Sequence, residues 1–315
     1  MRLVRYSRNG VESAGVLGQR GIVDIRTGWE GTNPPRDIID ILKGGEDGLA
    51  KVRDIAERGE IVTPTEEVKI LAPIARPGKI LALAGNYGEH IKEASLKRGF
   101  KLGLSEASKK DTVPRPFLKP VTTVIGPVDE IPWPAYSEQV DYEIELAVVI
   151  GREAKCVGAE KAIEYVAGYM IANDVSARSV TFKKGRKDRP WDEFYDWLAG
   201  KWADGFCPMG PYLATRDEIW DAQNIEMELR VNGEVRQKAN TSNMIYSVAE
   251  VVSFLSYLMR LEAGDVILTG TPAGVAVATG RFLQPGDEIE CRIEGLGILK
   301  NTLGQRPAKF YESLK

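Results

Sequence analysis

Three carboxylates carry the most specific chemistry this sequence offers. Glu143 and Glu145 stand two residues apart in VDYEIELAVVI, residues 140–150. As one extended strand, that segment puts Tyr142, Ile144, Leu146, Val148 and Ile150 on one face. Asp141, Glu143 and Glu145 begin the other, which continues with Ala147 and Val149. Two carboxylates about 6–7 Å apart at the backbone repel each other and resist desolvation as the strand enters a core. They need a cation, a proton or water. Asp174 ends the next apolar run, YMIAN, and a third carboxylate there completes an all-oxygen donor set. Such hard ligands suit Mg²⁺, Mn²⁺ or Ca²⁺ rather than zinc or copper. The alternative is a solvated acidic face, because E-x-E is ordinary in exposed strands.

The single histidine, His90, lies in AGNYGEHIKEA with Glu93 at i+3. On a helical turn those side chains are neighbours. An imidazole held by a carboxylate can act as a general base toward water near neutral pH; otherwise His90 is a surface residue on a polar helix. The glycine-rich LTGTPAGVAVATG, residues 268–280, has neither the Lys-Ser/Thr pair of a P-loop nor G-x-G-x-x-G, so it gives no case for nucleotide binding. G-x-S-x-G is absent, which removes one serine hydrolase signature.

The elements that must position these groups read mainly as strands: 79–84, 122–125, 140–150, 225–231, 265–269 and 288–293. Helical spacing is expected over 159–168 and over 248–260, where Val248, Val251, Val252, Leu255 and Leu258 form a stripe. Few helices and long irregular links argue against a parallel βαβ array. They favour a mostly β protein with some α, of α+β class, built as an antiparallel sandwich or roll. Residues 1–75 read as a small N-terminal α/β domain. It has strands over 1–6 and 15–25, short helices over 36–45 and 49–58, and a strand over 68–74.

A chain of 315 residues with 43% apolar content has the material for a sizeable core. Its 42 basic and 45 acidic residues leave −3, so nothing favours nucleic acid or an anionic membrane as partner. Cys156, Cys207 and Cys291 form no CxxC pair, which points to a reducing compartment. MRLVRYSRNG lacks the apolar stretch of a signal peptide, and no run approaches the ~18 apolar residues of a membrane span. A cytoplasmic location is the expectation. FKKGRKDRPWDEFYDW, residues 182–197, mixes five bases with four acids. It reads as a solvated loop anchored by aromatics or as a flap over a site.

Eight segments in order give the chain a resemblance to the fumarylacetoacetate hydrolase family over residues 76–303. They are GNYGEH, PFLKP, DYEIELAVVIG, VAGYMIANDVSAR, GKWADGFCPMGP, VNGE, GDVILTGTPAGV and GDEIECRIEGLG. The resemblance implies a mixed β-sandwich roll behind the small leading domain, with 304–315 as a tail. It implies Mg²⁺ or Mn²⁺ held by Glu143, Glu145 and Asp174 and receiving the 2-oxo-acid end of a small substrate. His90 and Glu93 match the family's water-activating dyad, Lys201 an oxyanion-stabilising position, and Tyr87, Arg178 and Thr271 the substrate lining. A homodimer is implied too. The implied activity is hydrolysis of a C–C bond in acylpyruvate- or fumarylacetoacetate-type β-diketo acids through a metal-stabilised enolate. The same enolate serves decarboxylation or isomerisation of 2-oxo diacids in aromatic-acid catabolism, and dehydration of 2-keto-3-deoxy acids. The chain departs from many relatives after Arg178, where it reads SVTFKK in place of a segment bearing glutamine, and its spacing to Lys201 is longer.

Overall fold

A computed structural model describes residues 1–59, 62–96, 109, 112–180, 182, 187 and 189–311. Its organising element is the strand Ile144–Ile150, buried at every position. It runs antiparallel to Val166–Asn173 on one side and to Val266–Leu268 on the other. Its two faces feed two different cores. Ile144, Leu146, Val148 and Ile150 join Tyr142 in one cluster, while Ala147 and Val149 pack into a second. The expected alternation therefore holds, but the second face carries Glu145 into protein rather than into water.

Outward from this centre the sheet continues through Ile80–Leu83 to Pro116–Lys119 on one side. On the other it passes through Cys207–Thr215 to Arg2–Arg8, Val11–Gly18, Gly21–Asp24 and Val62–Thr63. The N-terminal strands thus extend the same sheet, because Arg2–Arg8 pairs antiparallel with Cys207–Thr215. The helices Ile38–Lys43 and Gly45–Arg58 send Ile38, Ile41, Leu42, Val52 and Ile55 into the second core. A separate sheet orders Glu234–Asn240, Glu226–Val231, Glu288–Ile293, Gly297–Leu303 and Glu130–Ile131. The class is α+β, with a mostly antiparallel strand arrangement.

Four local expectations change in the structure. The 140–150 strand breaks at Tyr142–Glu143, and its first part, Gln139–Asp141, pairs instead with Ser176–Arg178. Polar side chains cause the break by replacing ladder partners. The Asp141 carboxylate accepts the Tyr142 N–H at 2.8 Å, and Asn173 Oδ1 accepts that of Glu143 at 2.9 Å. The 159–168 helix shrinks to Ala159–Ala162 and a 3₁₀ turn, and Val166 already begins a strand. There Gly168 lies so close to its neighbour that a Cβ would stand 2.0 Å from the Ala214 carbonyl oxygen. The 15–25 strand divides into Val11–Gly18 and Gly21–Asp24, joined by a tight hairpin. In Val248–Leu258, capped reciprocally by Ser247 and Glu250, the stripe is buried as far as Leu255. Leu258 is 53% exposed, because the helix ends there and Met259 turns extended. No described helix is long and apolar enough to cross a membrane.

Candidate metal and substrate site

The antiparallel register brings the three carboxylates together. Ile144 pairs with Asn173, so the next residue, Asp174, lies beside Glu143 and donates its N–H to the Glu143 carbonyl at 2.8 Å. Glu143, Glu145 and Asp174 are all buried, and one oxygen from each lies within 4.8 Å of the others.

Three cations answer them. Lys201 Nζ donates to Glu143 Oε2 at 2.8 Å and to Asp174 Oδ2 at 2.7 Å. Lys119 Nζ donates to Asp174 Oδ1 at 2.6 Å. Arg178 spans Asp141, from Nε at 3.0 Å, and Glu143, from Nη2 at 2.5 Å. Phe117 and Trp197 flank the Lys201 ammonium, with ring centroids 5.6 and 5.7 Å away.

The charges are unevenly shared. Burial raises the Glu143 pKa, but Lys201 and Arg178 outweigh it and hold the carboxyl down to about 2. Glu145 touches no cation among the described residues and receives instead the Gly270 N–H at 2.5 Å. Burial, then the charges of Asp174 and Glu143, push its pKa well above the ordinary carboxylate value. A buried, like-charged set of three oxygen donors, one of them uncompensated, fits a small hard divalent cation. Cys207 is not among the clustered donors, and burial pushes its thiol up to about 12.

His90 projects from the helix Gly88–Leu96. Its Nδ1 is buried and has no hydrogen-bond partner among the described residues. Burial chiefly lowers its pKa; Glu143 opposes this, and Arg178 and Lys201 reinforce it. Glu93, one turn on, accepts the Gly274 N–H at 2.9 Å and does not hold the imidazole through Nδ1. Tyr87 is buried and donates its O–H to Met227 Sδ at 3.3 Å. Thr271 is buried one residue beyond Gly270, and its Oγ1 accepts from Gln237 Nε2 at 2.9 Å.

Several residues that sequence reasoning did not single out complete the arrangement. Lys119 is one; its signal was the alternation in Pro116–Lys119, which places it on the buried face with Phe117. Asp141 orients Arg178 and also accepts the N–H groups of Ala276 at 2.6 Å and Val277 at 3.0 Å. Asn86 ties the segment before His90 to the carbonyls of Tyr246 and Thr269. Within 182–197, Lys183, Lys184, Gly185, Arg186 and Asp188 lie outside the described residues. Residues 192–197 of the segment open the helix Asp192–Ala199, whose Trp197 meets Phe117 edge-on at 4.8 Å.

Known proteins share this organisation. The family profile described as fumarylacetoacetate (FAA) hydrolase C-terminal matches residues 79–304. The mitochondrial oxaloacetate tautomerase FAHD2A of Bos taurus is 38% identical over 285 residues, covering 90% of this chain and 84% of its own. The structure of a fumarylacetoacetate hydrolase from psychrophilic Exiguobacterium antarcticum superimposes with a TM-score of 0.76 at 32% identity, over 97% of this chain and 100% of that one. Maleylpyruvate hydrolase from Sphingobium sp. SYK-6, in complex with manganese(II) ion and pyruvate, gives 0.74 at 28% identity, over 98% and 100%.

Proposed function

The chain belongs to the fumarylacetoacetate hydrolase family, and on that footing we propose that it interconverts the keto and enol forms of a small 2-oxo diacid such as oxaloacetate. The observation that carries this reading is the half-buried His90 imidazole, whose buried Nδ1 is unpartnered among the described residues and on which the charge of Glu143 acts. Keto–enol exchange moves one proton off carbon and one onto oxygen, with no water consumed. An imidazole is a group that can carry such a transfer.

Glu143, Glu145 and Asp174 would hold Mg²⁺ or Mn²⁺, as they are the acidic cluster. Such a cation supplies Lewis-acid stabilisation of negative charge on the oxygens of a 2-oxo acid. Lys201 commits two of its three N–H donors to Glu143 and Asp174, leaving the third for an oxygen of the bound acid. Arg178 adds positive charge, and Asp141 fixes its direction.

Hydrolysis of a C–C bond is the second reading, favoured by the likeness to maleylpyruvate hydrolase. It requires an attacking water held by a base, and Glu93, the carboxylate expected to orient that base, binds Gly274. Enol-oxaloacetate and an acylpyruvate, each supplied with Mg²⁺ or Mn²⁺, separate the two. Accelerated loss of the enol absorbance without C–C cleavage is the expected result. Pyruvate release from the acylpyruvate with no effect on the enol would overturn it in favour of hydrolysis. A cytoplasmic homodimer is proposed as the working form; light scattering at the 34.7 kDa monomer mass would count against the dimer.

A further inference from the structure

Gln237 links the second sheet to the site through its side-chain amide, although it lies far from the carboxylates in sequence. It is 1% exposed. Its strand, Glu234–Asn240, is irregular there: Leu229 pairs with Gln237 and Arg230 with Val235, so Arg236 is an extra residue. A bulge of this kind re-aims the side chains beside it. Its backbone also meets the loop after Val266–Leu268, where a Cβ on Gly274 would stand 2.1 Å from the Arg236 carbonyl oxygen. At φ +105° that position favours glycine twice over.

The amide of Gln237 can face only one way. Oε1 accepts the Ile144 N–H at 3.0 Å, and Nε2 donates to the Pro272 carbonyl at 2.8 Å. Turning the amide over would set N–H against N–H and oxygen against oxygen. The second Nε2 proton therefore goes to Thr271 Oγ1, at 2.9 Å. With an incoming donor on its oxygen, the Thr271 hydroxyl is left to donate its own proton. That hydroxyl lies one residue past Gly270, whose N–H binds Glu145.

We propose that Gln237 is a positioning residue that fixes the Thr271 hydroxyl as a hydrogen-bond donor to an oxygen of the bound 2-oxo acid, and so favours a carboxylate-bearing ligand. This deepens the functional reading above and rests on its 2-oxo-acid site. Gln237 is itself neither a metal ligand nor the base, but its Oε1 also holds the Ile144 N–H between Glu143 and Glu145. Thr271→Val leaves that bond in place, so ligand binding and metal binding should separate there.

Pyruvate binding to the Mn²⁺-supplemented protein, followed by calorimetry, tests the assignment without turnover. Gln237→Met keeps the volume but removes the donor to Thr271 and, with it, the acceptor of the Ile144 N–H. Pyruvate should then bind about tenfold or more weakly, the scale of one hydrogen bond to a charged group. Thr271→Val should weaken it similarly, and the double variant should be no worse than Thr271→Val alone. Gln237→Glu keeps the shape but captures the Thr271 proton, so its loss should be at least as large. Mn²⁺ affinity, measured without pyruvate, should stay near wild type in Thr271→Val, which keeps the Ile144 N–H bond to Gln237. Wild-type pyruvate affinity in Gln237→Met, additive losses in the double variant, or a parallel loss of Mn²⁺ affinity in Thr271→Val would each overturn it. Failure of wild type to bind pyruvate would do so as well. Tautomerase activity is assayed separately: its absence in a wild type that binds pyruvate removes the proposed reaction and leaves the Gln237 assignment standing.

Discussion

Lys201 Nζ stands between Glu143 and Asp174, 2.8 Å from one carboxylate and 2.7 Å from the other. The ammonium thus neutralises part of the cluster that would hold a divalent cation. Burial alone would lower the Lys201 pKa, but Asp174 and Glu143 reverse that and raise it.

Lys201→Met should therefore destabilise the metal-free protein. Removing one partner of a buried ion pair costs about 3–5 kcal/mol, since the remaining carboxylates lose their counter-charge. Added Mn²⁺ should recover more stability in the variant than in wild type, because the cation then replaces a missing charge. Thermal melts with and without Mn²⁺ measure this. Equal metal-induced shifts in both proteins would separate Lys201 from the metal cluster.

Glu145→Gln should act in the opposite direction on the metal-free fold. Among the described residues Glu145 is the member of the triad with no cation against it, and the amide preserves its shape while removing an ionisable group beside Asp174 and Glu143. Stability without metal should be unchanged or slightly higher, whereas the thermal shift on adding Mg²⁺ or Mn²⁺ should vanish. A retained metal-dependent shift in Glu145→Gln would remove this residue from the donor set.

His90→Ala should lower the catalysed proton transfer by about 10²–10⁴-fold, the usual scale for loss of a general base. Metal affinity should hardly move, because His90 is not among the clustered oxygen donors. Glu93→Gln is the informative partner. Its carboxylate binds the Gly274 N–H, so the substitution should loosen that loop and cost much less than loss of the imidazole. Equal losses from both variants would restore a coupled dyad.

Away from the site, Asp24 sets part of the acid limb of stability. Burial raises its pKa, but hydrogen bonds from Ser13, Tyr6 and Thr27 more than offset this, so the folded value lies below the ordinary one. The unfolded state then takes up the proton first. The stabilisation is complete above the unfolded value, about 3.9, and is lost as pH falls through the lower folded value. Asp24→Asn should lower stability near pH 7 and flatten its decline in acid. Parallel acid-unfolding curves for the two proteins would show that Asp24 contributes nothing there.

The sequence by itself determined the side-chain directions of the central strand and the carboxylate content of the site. Alternation in Ile144–Ile150 is local stereochemistry, so the two faces were readable without knowing their neighbours. Glu143, Glu145 and Asp174 were visible for the same reason, as acids at the ends of apolar runs. The tertiary structure decided what answers them. Lys119 reaches Asp174 across 55 residues, and Gln237 reaches Ile144 across 93. In sequence, Gln237 is one more polar residue in a strand, indistinguishable from a solvated one, and Lys119, though on the face of Phe117, names no partner. The break at Tyr142–Glu143 was hidden too, because the groups that replace the strand ladder, Asn173 Oδ1 and the Asp141 carboxylate, acquire that role only once the register is set. Burial lies behind all of these differences. Local pattern fixes which way a side chain points, but only the packed chain removes the water that would otherwise satisfy it.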